Sequence, residues 1–174
     1  MSRKLHLVAG LALTLIVAAA NPAAAQQDAP AQSKDDQRLE ALLSEADLFY
    51  KKSYVEGSQR WEYKIAFTQD GETTMMAIYL RSLGNYGNGD PINVVYAWTQ
   101  VTGAPDGQLP PAVIKAIANL NDTLPLGNFS ASKNGTFANM AIVMQDLTKD
   151  SLYLSLWQLH YNALFLKKEL DGLQ

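Results

Sequence analysis

At 174 residues the chain is long enough for one domain with a sizeable core, and no shift in composition divides it. The absence of cysteine excludes disulfides and thiolate chemistry, so packing alone must hold the fold. A formal net charge of −3 offers no basic footprint for a nucleic acid.

Arg3 and Lys4 precede an apolar run from Leu7 to Ala20, and Asn21-Pro22-Ala23-Ala24-Ala25 follows with a small-residue cleavage pattern. This reads as a secretory signal peptide over 1–25, cut after Ala25. The run is broken by Gly10 and Thr14 and is shorter than the roughly 20 residues a spanning helix needs. No cysteine follows the cut, so a lipid anchor is not expected, and the mature protein should be periplasmic or secreted with no membrane anchor. Of 14 basic residues, loss of Arg3 and Lys4 leaves 12 against 17 acids, a net charge of −5.

Residues 26–34 are polar and rich in Ala, Gln and Pro, which predicts a disordered linker. A domain is then expected over 35–170. Asp35 and Asp36 open a first helix whose apolar positions, Leu39, Leu42, Leu43, Ala46, Phe49 and Tyr50, recur at helical spacing; it should end near Lys51-Lys52. From Arg60 the period changes to two. Trp61, Tyr63, Ile65 and Phe67 alternate with Glu62, Lys64, Ala66 and Thr68, giving a strand with one buried face. Asp70-Gly71 marks a hairpin into a second strand over Thr73–Leu83. After a glycine-rich connection, Ile92, Val94, Tyr96 and Trp98 alternate with Asn93, Val95, Ala97 and Thr99 in a third strand. Prolines 110 and 111 open a second helix with Val113, Ile114, Ile117 and Leu120 on one stripe. Asn134-Gly135 between two strand-like runs signals another hairpin, and a last helix carries Leu152, Leu156, Leu159 and Ala163.

The order α-β-β-β-α-β-β-α, with short links between strands, predicts a two-layer α+β domain: a five-stranded antiparallel sheet with helices on one face. Its core should include Leu42, Phe49, Trp61, Ile65, Phe67, Val94, Tyr96, Ile117, Leu120, Phe129, Ile142, Leu156 and Leu159.

Over roughly Asp35 to Leu170 the chain resembles the YbjN-like family of bacterial sensory transduction regulators, whose fold is similar to type III secretion chaperones. The resemblance rests on the order of elements and on Ala118-Asn119-Leu120-Asn121, Leu124-Pro125-Leu126-Gly127-Asn128-Phe129, the Asn134-Gly135 hairpin and the long closing helix. It implies a regulatory or protein-binding role and no known catalytic activity. An exported protein departs from the cytoplasmic secretion chaperones, because beyond the membrane it could not escort effectors awaiting export.

No set of residues reads as an active site. His160 is the one imidazole beyond the leader, and Ser151 and Ser155 share its helix without a nucleophile-elbow pattern. The segment Asn85–Asp90 lacks both the Gly-Lys-Ser/Thr ending of a phosphate loop and the alternating carboxylates of a calcium loop. Asp146 and Asp150 flank Lys149 at a strand-to-helix junction, where an acidic residue serves as a cap. Met75, Met76, Met140 and Met144 suit a core or an adaptable surface. The expectation is a non-enzymatic protein-binding module, chaperone-like or regulatory, without metal or cofactor, whose partner is another protein or a second copy in a homodimer. Its candidate contact surface is a half-apolar sheet face carrying Lys64, Ala66, Val95, Ala97 and Thr99. The alternative is a carrier of an apolar small molecule in a pocket between helices and sheet, suggested by Trp61, Trp98 and Trp157.

Overall fold

The computed structural model describes residues 29–104 and 107–173. The expected signal peptide, its cleavage site and residues 26–28 of the expected linker lie outside the described residues. The chain joins the fold before Asp35, since Ser33 caps the first helix and Gln32 donates hydrogen bonds to Glu40 and to the Tyr63 hydroxyl.

The elements in order are α1 (Lys34–Glu45), β1 (Tyr50–Val55), β2 (Arg60–Gln69), β3 (Glu72–Asn85), β4 (Pro91–Gly103), α2 (Pro111–Asn121), β5 (Asn128–Ser132), β6 (Gly135–Val143) and α3 (Lys149–Leu170). The protein is α+β with an antiparallel sheet, but the sheet has six strands where five were expected, in the order β1-β2-β3-β4-β6-β5.

The extra strand comes out of the expected first helix. That helix stops at Glu45 because Asp47 turns left-handed, with φ of 56°, while Leu48 N donates to Leu43 O and Asp47 N to Ser44 O. This is a Schellman ending with Asp where Gly is usual. Tyr50 then starts β1, and Phe49, placed in the core by the helical reading, is 90% exposed.

The helices share one side of the sheet. Beneath them lie Tyr63, Ile65, Phe67, Met76, Ile78, Val95, Ala97 and Ala138, packed with Leu39, Leu43, Val113, Ile117, Leu152, Leu156, Leu159 and Leu166 from the helices. Strand β4 corrects the sequence reading, because Ile78 pairs with Ala97 and Leu80 with Val95. Hence Val95 and Ala97 face the helices, while Val94 and Tyr96, expected in that core, face the other way. Both faces of β4 are apolar, so alternation alone could not choose between them. The physical reason for the outcome is room: α3 packs across β4 and β6, where the small Ala97 and Ala138 let a leucine-rich helix approach closely.

Asp70 and Gly71 both take positive φ, 53° and 83°, as the two-residue hairpin requires. The second hairpin forms with Lys133-Asn134 as its turn, since Ser132 pairs with Gly135 and Asn134 keeps negative φ. The edge strand β5 is held from outside the sheet by one side chain: Asn121, at the end of α2, accepts from Phe129 N at 2.6 Å and donates to Phe129 O at 2.9 Å. Removing both bonds in Asn121→Ala leaves a half-buried backbone pair without its partner and should cost about 2 kcal/mol. Chemical denaturation measures this, with local exchange of the Phe129 amide rising first.

Candidate functional site

The side of the sheet away from the helices carries the candidate site. Its residues follow from pairing: Lys51 lies opposite Lys64, Lys64 opposite Ala77, Ala77 opposite Trp98 and Trp98 opposite Asn139. Small Ala77 between two long side chains makes a trough of about 300 Å³, lined also by Glu62, Met75 and Gln100. Met75 is 62% exposed beside it. Glu62 sits nearly buried between Arg60 and Lys64, but its contacts of 3.5 and 3.9 Å are long for ion pairs. Lys51 and Lys64 face each other as like charges, an arrangement that costs stability in the free protein.

Beside the trough runs a packed ladder. The Arg60 guanidinium lies 3.4 Å from the Tyr79 ring centroid and Tyr79 lies 5.3 Å from Tyr96. The Tyr96 hydroxyl donates to Asn139 Oδ1 at 2.9 Å, and Asn139 Nδ2 donates to Ser130 Oγ at 2.9 Å. Burial, reinforced by Tyr79 and opposed by Arg81, pushes the Tyr96 hydroxyl pKa up. Cross-strand packing of this kind stiffens the sheet without a helix above it.

Of the five residues expected to share one face, Lys64 and Ala66 lie on this open side and are exposed. Val95 and Ala97 are fully buried on the helix side, and Thr99, 3% exposed, donates to the Met75 carbonyl at 2.7 Å. The five therefore do not form one surface. The sequence reading does not place Met75, Ala77, Tyr79 and Trp98 on this face, offering Met75 as core or adaptable surface and Trp98 as an aromatic of a carrier pocket. For the first three the signal was present, since a two-residue turn at Asp70-Gly71 forces Lys64 opposite Ala77.

The other candidates are absorbed by the fold. His160 is 1% exposed, with Nδ1 2.7 Å from Thr74 Oγ1 and the Phe67 and Tyr161 rings against it. Desolvation holds its pKa below the usual 6.5, against the pull of Asp70, Glu72 and a bond to the Gln69 backbone. The unfolded chain therefore binds this proton more readily. The stability His160 protects is fully present above about pH 6.5 and falls as the pH drops below that, by at most about 1.4 kcal/mol per pH unit. Melting curves from pH 7.5 to 5 should show that loss, and a His160→Gln variant should flatten it.

Asp90 accepts from Asn88 Nδ2 at 2.7 Å, while Tyr86 N and Asp90 O close the β3–β4 connection. Thr148, not an acidic neighbour, caps α3 through Ser151. Ser155 donates to the Ser151 carbonyl. Met76, Met140 and Met144 are core residues. Glu40, raised by burial but lowered further by bonds from Lys52, Gln32 and Tyr50, is held below the ordinary carboxylate range in a closed network. A polar cavity of about 470 Å³ where α1 meets the β3–β4 connection has its groups paired with one another, Asn93 to Asp35 and Arg38 to the Gln145 and Leu147 carbonyls. Among the described residues no group of three His, Asp or Glu side chains is placed to hold a metal ion.

Compared with family models, with curated proteins and with solved structures, the chain matches none.

Proposed function

We propose that the protein is an exported, non-enzymatic binding module that holds a partner protein on the open face of its sheet, in the regulatory or chaperone-like manner that the YbjN-like resemblance implies. The observation that carries this reading is the trough between Lys64 and Trp98. It is apolar at its floor, charged at its rim and set on a sheet stiffened by the Arg60–Tyr79–Tyr96–Asn139 ladder. A rigid surface loses little entropy on binding. Catalysis has no comparable support, since His160 is enclosed and its Nδ1 lies 2.7 Å from Thr74 Oγ1 on β3. The carrier reading is less favoured, because the space between helices and sheet is filled by Leu39, Leu43, Ile65, Ile78, Leu156 and Leu159, all fully buried.

The test is photo-crosslinking in the intact periplasm from a reactive residue at position 75 and, separately, at position 154, where Leu154 is 63% exposed on α3. A saturable protein adduct at 75 is expected. Absence of any protein adduct at either position, with a small molecule co-purifying, would overturn the reading in favour of the carrier.

A further inference from the structure

The open face differs in charge from the rest of the molecule. Across its strands lie Lys51, Arg60, Lys64 and Arg81, against Glu62 as the one acidic strand residue on this side among those described. The chain as a whole has three more acids than bases. The basic groups of this face are poorly neutralised. Glu62, with 10% of its side chain exposed, reaches Arg60 and Lys64 only at 3.5 and 3.9 Å. Arg60 Nε is buried with no hydrogen-bond partner. Lys51 and Lys64 stand opposite each other with no acid between them in the pairing. Like charges opposed on a sheet are unfavourable alone, and an anionic group placed between them removes the penalty.

Resting on the binding-module reading, we infer that the open face takes an acidic, amphipathic segment of a partner protein. Carboxylates of the segment sit against Lys51 and Lys64, and an apolar side chain fills the trough over Ala77 between Met75 and Trp98. The charge pattern sets orientation and encounter rate, and the trough supplies apolar burial. Methionine at the rim adapts to more than one side chain.

Two synthetic peptides test this, both fluorescein-labelled: one alternating Glu or Asp with Leu and Phe, the other with Lys in place of each acid. Anisotropy on the purified protein should show the acidic peptide binding, weakening at least about tenfold as ionic strength rises from about 0.05 to about 0.5 M. Lys51→Glu with Lys64→Glu should weaken it at least about tenfold again. Both positions are exposed, and circular dichroism checks that the variant folds. Lys51→Gln with Lys64→Gln, which sets no new carboxylate beside Glu62, should weaken binding in the same direction. Met75→Asp should also weaken binding, as should Trp98→Ala. Equal binding of the basic peptide, or acidic binding indifferent to these variants, overturns the inference. A protein adduct from position 154 without one from 75 overturns it too, while leaving a binding module that uses another surface. No adduct at either position removes the broader reading.

Discussion

A Leu156→Asp chain is expected to lose its cooperative thermal transition altogether. Leu156 is fully buried in the layer between α3 and the sheet. Truncating such a leucine costs about 2–5 kcal/mol from lost transfer energy and the cavity left behind. The carboxylate adds the penalty of an unpaired buried charge, several kcal/mol even after relaxation. Together these reach the whole stability of an ordinary domain, about 5–15 kcal/mol. Near-ultraviolet circular dichroism and a melting curve check it. Leu154→Asp, two residues away on the exposed side of the same helix, should shift stability by no more than about 0.5 kcal/mol. A folded Leu156→Asp protein would mean that α3 does not hold the sheet.

Gly135→Ala should destabilise by about 3 kcal/mol, for reasons of space as much as of backbone angle. Gly135 has φ of 135° and pairs with Gly103 at the end of the β4–β6 ladder. A methyl group there would overlap the carbonyl oxygen of Thr102 and press on the Gly103 Cα, both of them backbone atoms that cannot swing aside. Gly71→Ala is the control, since Gly71 also has positive φ but open space around it. It should cost about 1 kcal/mol. Melting midpoints should therefore fall by about 10 °C for the first and clearly less for the second. Equal shifts would assign the whole effect to dihedral preference.

The contrast between those two glycines shows what the amino-acid order makes legible. Asp-Gly and Asn-Gly both announce hairpins and both hairpins form. Only at Asp70-Gly71 is the reason the positive φ of both residues. At Gly135 the reason is contact with a distant strand, which no local pattern contains. The same division runs through the core. Positions on β2, where Tyr63, Ile65 and Phe67 alternate with Glu62, Lys64 and Thr68, and the leucines of α3 at helical spacing were assigned correctly from periodicity: Ile65, Phe67, Leu156 and Leu159 are all buried, although the outer side of α3 also carries apolar residues such as Leu154 and Phe165. On β4 both sides are apolar, so the choice fell to packing beneath α3, and the expected surface residues Val95 and Ala97 turned out to be core. The candidate trough was half legible, through Lys64 and its pairing across the Asp70-Gly71 turn. Its far wall, Trp98, depended on the face that β4 presents.

The Asn121 clamp bears on how the protein behaves at high concentration. An exposed edge strand is a template on which another chain can add, and β5 is such an edge. Because the outward N–H and C=O of Phe129 are already taken by Asn121, an incoming strand cannot pair with the first half of β5. The opposite edge is β1, where exposed Lys51 brings like charge to any copy that approaches in parallel, Lys52 being paired with Glu40. Extension of the sheet from chain to chain is thus obstructed at one end by a side-chain amide and at the other by repulsion. Asn121→Ala should therefore do more than lower stability: at equal fractions folded, it should shorten the lag before thioflavin-positive aggregates form.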